Sequence, residues 1–315
     1  MTRKNQLLSV FAIGLIAGPI SAYSQGAYDY ESINYPGSAF DQAFGINNRG
    51  DVVGNGSIDP DTIPYVWDSK KGGFTNVTPV AGYVETAVLG ISDKGDLAGS
   101  VFDGSVESGL IVDKNGAVTV FDHPDAVVFT QARGINNKGL VTGFRDDPND
   151  QGGLENGFIY DSKEGTFTDI VPSLFTIAQG INSRGDVVGS AIFDDGLGVV
   201  DPCNTGIPFV RLGWRRSADG TVTYFSVNGE ATRARGITDS GTIAGWVDDP
   251  GSGLIKGFVV ELDGTQCQTI PVPDEDLLHF PGATATFVGG IKNSGEVVGS
   301  YDDGTTTLGF IARPQ

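Results

Sequence analysis

The sequence has few of the residues that build most catalytic and metal centres. Its 315 residues include two histidines, two cysteines and one methionine. Two cysteines are too few for a disulfide framework. The sequence also lacks G-x-S-x-G, H-E-x-x-H and P-loop patterns. Nothing in it therefore indicates the hydrolase, zinc-protease or nucleotide-binding classes that carry these signatures.

Basic residues are scarce. The chain has 20 Lys and Arg residues against 39 Asp and Glu residues, which gives a formal net charge of −19. Such a charge repels nucleic acids and anionic membrane surfaces. No nucleic-acid partner is expected, whereas cations, sugars and basic proteins are left open.

Long apolar runs are absent except at the N-terminus. Arg3 and Lys4 precede an apolar stretch from Leu7 to Ile20 that glycine and proline interrupt. The stretch is typical of a secretory signal peptide and is short for a membrane span. Residues 1–24 are therefore predicted to be a cleavable signal peptide. The mature chain 25–315 is predicted to be secreted or periplasmic, without a membrane span.

Glycine is abundant, with 47 residues, and it recurs at fixed places. One motif, Gly-Ile-x-x-x-Gly-x-[Val/Ile/Leu]-x-Gly, occurs six times, and its copies start at Gly45, Gly90, Gly134, Gly180, Gly236 and Gly290. A second segment follows each copy, as in GFIYD at Gly157 and, by the same pattern, PFVRL at Pro208. Each unit thus holds four candidate strands, rich in Val, Ile, Thr and aromatic residues, and helical periodicity is absent after the leader.

The motif contains its own turn chemistry. In copies such as GINNRGDVVG, Asn caps its own backbone and the following Gly accepts a positive φ, which together favour a hairpin. The closing glycine lies inside or at the end of a strand, where it indicates a bulge or a close backbone approach.

The ends of the repeat array complement each other. The last unit stops one strand short at Gln315, while Tyr28–Tyr35 resembles the fourth strand of the other units. We therefore predict an all-β, six-bladed β-propeller of four-stranded blades, in which the N-terminal strand closes the last blade. Closure would remove the open sheet edge. The fold is expected to be a single domain and a monomer.

The six copies of GINNRGDVVG type resemble the HAF family of extracellular repeat proteins, and the match covers almost the whole mature chain. An HGF-type strand is usual in that family. Here Asn156, Lys256 and Leu308 stand at the histidine position. The resemblance implies an exported repeat protein and supplies no catalytic residues.

Acidic loops are expected to gather on one face of the propeller. The favoured interpretation is that their carboxylates accept hydrogen bonds from loop N–H groups, because no loop has regular D-x-D-x-D-G spacing. Calcium is the alternative, although no cofactor is expected. The candidate metal ligands are Asp146, Asp147, Asp194, Asp195, Asp248 and Asp249.

Four residues on the candidate inner strands point to ligand binding: Arg133, Gln179, Arg233 and Arg235. They would form a basic spot near the central channel that holds a carboxylate or an acidic sugar. The alternative interpretation is that the arginines pair with the loop aspartates.

Two further pairs of residues complete the candidates. His123 and His279 lie in blade-to-blade connections and are weak candidates for acid–base catalysis. The repeat pattern puts Cys203 and Cys267 on opposite faces, which argues against a disulfide but leaves open whether they pair.

Three functions remain open from the sequence. The leading hypothesis is an exported binding or interaction module for an extracellular glycan, a small anionic ligand or a protein. The first alternative is a polysaccharide lyase or hydrolase built on propeller loops. The second is a structural surface protein, and fold alone does not decide among them.

Overall fold

The computed structural model describes residues 22–25, 27–147, 155–170, 175–194, 198–207, 209–249 and 251–315. This part of the chain is all-β apart from a 3-10 turn at Asp274–Asp276. Within these ranges no helix has the length and apolar character needed to cross a membrane. Residues 1–21 of the predicted signal peptide lie outside the described residues, and its last three belong to the first strand.

The strands follow the sequence repeat. Two of them precede the first glycine motif: β1 (Ala22–Gln25) and β2 (Tyr28–Ile33). Units 1 to 3 contain β3 (Phe40–Ile46), β4 (Asp51–Ile58), β5 (Asp61–Asp68), β6 (Gly73–Asn76); β7 (Glu85–Ile91), β8 (Leu97–Phe102), β9 (Glu107–Val112), β10 (Val118–Phe121); and β11 (Thr130–Ile135), β12 (Leu140–Asp146), β13 (Glu155–Asp161), β14 (Thr166–Ile170). Units 4 to 6 contain β15 (Phe175–Ile181), β16 (Val187–Asp194), β17 (Phe209–Arg216), β18 (Val222–Val227); β19 (Thr232–Ile237), β20 (Ile243–Asp249), β21 (Leu254–Val260), β22 (Cys267–Ile270); and β23 (Ala285–Ile291), β24 (Val297–Asp302), β25 (Thr307–Pro314).

Units 1 to 4 are antiparallel sheets whose strands pair in chain order. In unit 6, β23, β24 and β25 continue into β2, which comes from the other end of the chain. The β2–β25 register is antiparallel and runs from Tyr28 opposite Pro314 to Ile33 opposite Gly309. The N-terminal strand therefore supplies the fourth strand of the last unit, and β1 pairs outside it.

Unit 5 departs from the predicted four-stranded pattern. Its β22 leaves β21 and runs parallel to β18 of unit 4, with Cys267 opposite Tyr224. Cys267 thereby reaches Cys203, in the loop between β16 and β17, and the two form a disulfide. The predicted placement of the two cysteines on opposite faces is wrong, because β22 lies beside a neighbouring unit instead of its own.

The assignment of the second segment in unit 4 also needs correction. Gly189 lies opposite Trp214 on β17, just as Gly143 lies opposite Phe158 on β13. Gly213-Trp214, and not the PFVRL segment at Pro208, is therefore the counterpart of Gly157-Phe158. Pro208 itself lies outside the described residues.

The core lies between the faces of neighbouring units. One buried cluster joins Ile111 and Phe121 of unit 2 to Phe158 of unit 3. Another joins Ile33 and Ile311 of unit 6 to residues of unit 1. Burial of each large apolar side chain contributes about 1.5–3 kcal/mol, so the sheets are held mainly by their neighbours.

Glycine at the end of the motif makes room for an aromatic ring. A Cβ built on Gly143 would lie 2.7 Å from the Cζ atom of Phe158, and one on Gly189 would lie 2.6 Å from Trp214. Neither position has space for a side chain, which explains the close approach that the sequence indicates.

The Asn-rich turns act within and between units. In unit 4, Asn182 Oδ1 accepts hydrogen bonds from its own turn, including one from Asp186 N at 2.9 Å. Asn136 Nδ2 donates to the Asn182 carbonyl of the next unit at 3.0 Å. Asn293 N donates to Asn48 Oδ1 at 2.8 Å, which connects the last unit to the first.

A threonine four residues before the motif anchors the connections between units, and the sequence analysis missed it. Thr130 Oγ1 accepts a hydrogen bond from His123 N at 2.9 Å, and Thr232 and Thr286 accept equivalent bonds. In unit 1 this position holds Asp41, which accepts a bond from Tyr35 N.

Candidate ligand-binding channel

The first strands of the units surround a central channel. They approach closely at the first glycine of each motif: a Cβ on Gly134 would lie 2.5 Å from the Gln179 carbonyl oxygen. A Cβ on Gly290 would lie 3.2 Å from the Cα atom of Gly45, so the inner strands of units 6 and 1 are also neighbours. Only glycine permits this spacing around the channel.

A β-bulge directs one residue of each inner strand into the channel. The register of the first two strands shifts immediately before the motif's first glycine in five units, and across residues 178–181 in unit 4. Bulges turn an unpaired residue away from the regular ladder. The residues at these bulges all line a cavity of about 340 Å³, and they are Phe44, Leu89, Arg133, Gln179, Arg235 and Gly289.

Two arginines in the channel lack counter-ions in contact. Arg133 and Arg235 are half-buried and line the cavity. Within the described ranges neither guanidinium forms an ion pair or a hydrogen bond, and Arg133 Nε is buried without a partner. Burial, followed by repulsion from Arg133, Arg233 and Arg211, lowers the pKa of Arg235 to about 9. Burial lowers the pKa of Arg133 to about 10.

All three arginines lie over aromatic rings. Arg133 is 5.1 Å from the ring centroid of Phe144, and Arg233 and Arg235 are 4.0 and 5.8 Å from that of Trp246. Arg233 differs because its Nη1 atom also forms an ion pair of 3.2 Å with Asp248. The pairing with loop aspartates that the sequence left open therefore applies to Arg233. Gln179 lies on the channel wall with Arg133 and Arg235.

A second group of charged residues was missed from the sequence. Glu107, Glu155 and Arg211 occupy equivalent positions two residues before the glycine of the third strand in units 2, 3 and 4. The wrong alignment of PFVRL hid this equivalence. Arg211 lies 5.3 Å from the ring centroid of Phe175, and burial, followed by repulsion from Arg233, lowers its pKa to about 10.

The half-buried carboxyl group of Glu155 has a raised pKa. Burial raises its pKa to about 7, although attraction to Arg133 and Arg211 opposes the rise. Its Oε2 atom is buried and has no hydrogen-bond partner in the described structure.

The candidate metal ligands that the structure describes form no cluster of donor atoms. The Asp146 carboxylate accepts hydrogen bonds from the N–H groups of Val127, Val128 and Phe129 at 3.0–3.2 Å. The remaining described aspartates have separate contacts: Asp147 with Asn156, Asp194 with the backbone of Val199, Asp248 with Arg233, and Asp249 with Lys256. Asp195 lies outside the described residues.

The two histidines lie in separate connections and do not line the channel. His123 is buried, and its Nε2 atom lies 3.3 Å from Asp169 Oδ1. Its Nδ1 atom accepts a hydrogen bond from Asp125 N at 3.2 Å. His279 Nδ1 lies 3.4 Å from Thr286 Oγ1. Burial lowers the pKa of both imidazoles.

His123, Asp125 and Asp169 place three donor atoms within 4.8 Å of one another, as a metal site requires. Arg145 already occupies this neighbourhood, with its Nη2 atom 3.7 Å from Asp125 and 3.8 Å from Asp169. The guanidinium supplies the positive charge that an ion would otherwise bring.

No family model matches the sequence, and no curated protein matches it. Solved structures similar to this chain have propeller-like folds. TolB from Acinetobacter baumannii is 10% identical, with a TM-score of 0.48, and the alignment covers 87% of this chain and 54% of TolB. A putative gluconolactonase is 11% identical, with a TM-score of 0.51 and coverage of 94% and 93%. The β-propeller domain of the trilobed protease from Pyrococcus furiosus is 13% identical, with a TM-score of 0.47 and coverage of 88% and 83%.

This chain thus spans about half the length of TolB. The likeness to the putative gluconolactonase extends over nearly all of both chains. At such low identity the likeness concerns the fold alone. The chain therefore has an all-β, propeller-like scaffold whose chemistry must be argued from its own channel.

Proposed function

We propose that this chain is an exported, six-bladed propeller of the HAF type that binds a small carboxylated ligand, such as a sugar acid, in its central channel. The observation that carries the proposal is the pair Arg133 and Arg235, whose guanidinium groups line the cavity without contact to any carboxylate of the described residues. Buried charges are normally paired. A bound carboxylate would complete this site.

Closure into six blades is supported by contacts between the two ends of the array. β2 pairs with β25 along its whole length. A shared apolar cluster joins units 6 and 1, and the Asn293–Asn48 hydrogen bond joins their turns. A closed ring would contain each of these contacts, whereas an open array would lack them.

Export is supported by two features. The Cys203–Cys267 disulfide fits an oxidising compartment. The basic and then apolar start of the sequence fits a signal peptide.

The chemistry of the channel favours a small amphipathic anion. A guanidinium binds a carboxylate through two parallel hydrogen bonds, which gives geometric as well as charge selectivity. The same cavity is lined by Phe44, Leu89 and Phe287, so the ligand would present an apolar surface beside its carboxylate. The volume of about 340 Å³ is in the range of small-molecule sites.

Calorimetric titration with D-galacturonate, and with D-galactose as the neutral control, tests this proposal. Arg235→Ala should weaken galacturonate binding by roughly 1.5–3 kcal/mol, the range for a hydrogen bond to a charged group. Arg235→Lys should restore part of the loss, because it keeps the charge without the planar fork. Arg313→Ala is the matched control, since Arg313 pairs with Glu31 outside the channel. Equal binding by the parent and by the Ala variants of Arg133, Arg233 and Arg235 would refute the site.

The alternative of a polymer-acting lyase or hydrolase receives no support from the histidines. His123 and His279 lie in different connections, and neither lines the cavity that contains Arg133 and Arg235. A structural surface role accounts for the contacts of Arg133 and Arg235 with aromatic rings, but it does not explain why two charged groups line the cavity without an ion pair among the described residues. The binding hypothesis therefore explains more of the site.

A further inference from the structure

Another cavity, of about 430 Å³, adjoins the channel on the side of units 1 to 3. This side cavity is lined by residues that include Gln42, Ala87, Ser100, Glu107, Gln131 and Arg133. Phe44, Leu89 and Arg133 line both the side cavity and the channel cavity. A ligand held at Arg133 therefore faces both cavities.

The repeat explains why there is space on this side of the channel. Three equivalent residues, each two positions before the bulge of its inner strand, line the side cavity: Gln42, Ala87 and Gln131. In unit 6 the same position holds Phe287, which lies opposite Ser300 and lines the channel. In unit 2 Ala87 lies opposite Ser100. The methyl group of Ala87 thus leaves open a space where unit 6 has a ring.

The side cavity contains hydrogen-bonding groups that the described residues do not use. Ser100 is 5% exposed and lines the cavity, and its hydroxyl has no hydrogen bond within the described ranges. Gln131 Nε2 donates to Glu107 Oε1 at 2.6 Å, while Gln131 Oε1 is buried without a partner among these residues. Buried polar groups normally have partners. A ligand rich in hydroxyl groups would supply them.

The side cavity also differs from the channel in charge. Glu85 and Glu107 line it, and Arg133, where the two cavities adjoin, is the one basic residue of its described lining. Carboxylates accept hydrogen bonds from sugar hydroxyl groups. They repel a second carboxylate, and such repulsion is a source of specificity.

We propose that the side cavity is a second sugar subsite, and that the ligand is a disaccharide with a carboxylate on the residue in the channel and no charge on the residue in the side cavity. The inference rests on the proposed function. Arg133 and Arg235 hold the carboxylate of the first residue. Ser100 and Glu107 bind hydroxyl groups of the second, and Gln131 positions Glu107 through its hydrogen bond.

Calorimetric titration with three ligands tests this inference: D-galacturonate, galacturonosyl-rhamnose and digalacturonate. Galacturonosyl-rhamnose should bind the parent about ten- to thirtyfold tighter than galacturonate, as two or three further hydrogen bonds would give. Digalacturonate should bind within about threefold of galacturonate, because the glutamates repel its second carboxylate from the side cavity.

Ala87→Phe blocks the side cavity with the ring that unit 6 accommodates at Phe287. It should bind galacturonate like the parent, which shows that it is folded, and should lose the gain from the rhamnose residue. Ala117→Phe is the matched control and should keep the gain, since Ala117 is exposed between β9 and β10 and lines neither cavity.

Two smaller changes test the same subsite without adding bulk. Ser100→Ala removes one hydroxyl and should reduce the gain from rhamnose by about threefold. Glu107→Gln removes one of the two negative charges, so it should narrow the difference in affinity between digalacturonate and galacturonosyl-rhamnose.

The outcomes separate this inference from the proposed function. If galacturonate binds the parent but galacturonosyl-rhamnose binds no tighter, or if Ala87→Phe and Ser100→Ala keep the gain, the side cavity is not a subsite and the channel site stands. An equal gain from both disaccharides would also overturn the inference, because the second residue would then not need to be neutral. If none of the three ligands binds the parent, the proposed function has failed and the inference falls with it.

Discussion

At the scale of single residues, the channel holds more positive charge than its surroundings compensate. Arg235 is repelled by three other arginines, and burial lowers its pKa to about 9. The equivalent residue of unit 2 is Leu89, which fits the same bulge without charge. Arg235 therefore lowers the stability of the ligand-free protein, as residues that serve binding commonly do.

Replacing Arg235 by Leu should therefore stabilise the ligand-free protein. Folding disfavours the charged guanidinium, because the pKa of Arg235 in the folded state lies below its ordinary value. We expect the free energy of unfolding at pH 7 to rise by about 1–2 kcal/mol, after allowing for water in the channel. Denaturant unfolding of the parent and of Arg235→Leu measures this difference in the free energy of unfolding. Arg313→Leu is the control and should bring no gain, because it breaks the pair with Glu31; a loss of stability in Arg235→Leu would contradict the prediction.

At the scale of a structural element, unit 1 carries an Asp–Tyr pair where unit 3 has Thr130 and Phe158. Asp41 stands at the position of the threonine that anchors the connections in other units. Tyr65 lies opposite the closing Gly54, at the position that Phe158 holds in unit 3. The Tyr65 hydroxyl donates to Asp41 Oδ1 at 2.6 Å, and both residues are fully buried. Burial raises the pKa of Asp41 to about 6, although bonds from Tyr65 and Tyr35 oppose the shift.

This pair should make the stability of unit 1 depend on pH. The folded state holds more protons than the unfolded state between roughly pH 4 and pH 6, because the folded pKa of Asp41 is raised. Stability from this group is therefore fully present below that window and is lost as pH rises through it. The loss should be about 2–3 kcal/mol.

The double variant Asp41→Thr/Tyr65→Phe restores the pattern of Thr130 and Phe158 in unit 3. It should be less sensitive to pH than the parent, and its advantage in free energy of unfolding should be larger at pH 7.5 than at pH 4.5. Each single variant should be less stable than the double variant, because it leaves one buried polar partner unsatisfied. Denaturant unfolding at both pH values tests this, and an equal difference at the two would contradict it.

At the scale of the whole molecule, the chain ends hold the first and last units together. Tyr30 and Ile33 of β2 are each 1% exposed, and each belongs to a core cluster with residues from the C-terminal strands. β2 is thus both the fourth strand of unit 6 and part of the interface with unit 1. Its loss would expose the edge of β25.

A chain that begins at Pro36 should therefore aggregate or melt at a temperature lower by roughly 10 °C or more, since it loses β2 and two large buried side chains. A chain that begins at Ala27 is the control. Of the described strands it lacks only β1, which pairs outside β2, and it should melt close to the full chain. Thermal unfolding followed by circular dichroism distinguishes the two, and a Pro36 chain as stable as its control would refute closure by β2.

The sequence by itself determined the repeat, the strands and the turns, because these depend on local chemistry. Asn and Gly define the hairpins, alternating Val, Ile and aromatic residues define the strands, and the glycines of the motif mark close approaches. The prediction that Arg133, Gln179 and Arg235 lie near the channel follows from the same repeat, since each precedes its Gly-Ile pair.

Tertiary structure decided which of these residues meet. The bulge that turns Arg133 and Arg235 into the cavity arises from pairing between strands. The Cys203–Cys267 disulfide likewise exists because β22 pairs with another unit. Spacing along a chain fixes the period of a repeat, but contacts between distant residues depend on the free energy of the whole packed fold, which no local pattern encodes.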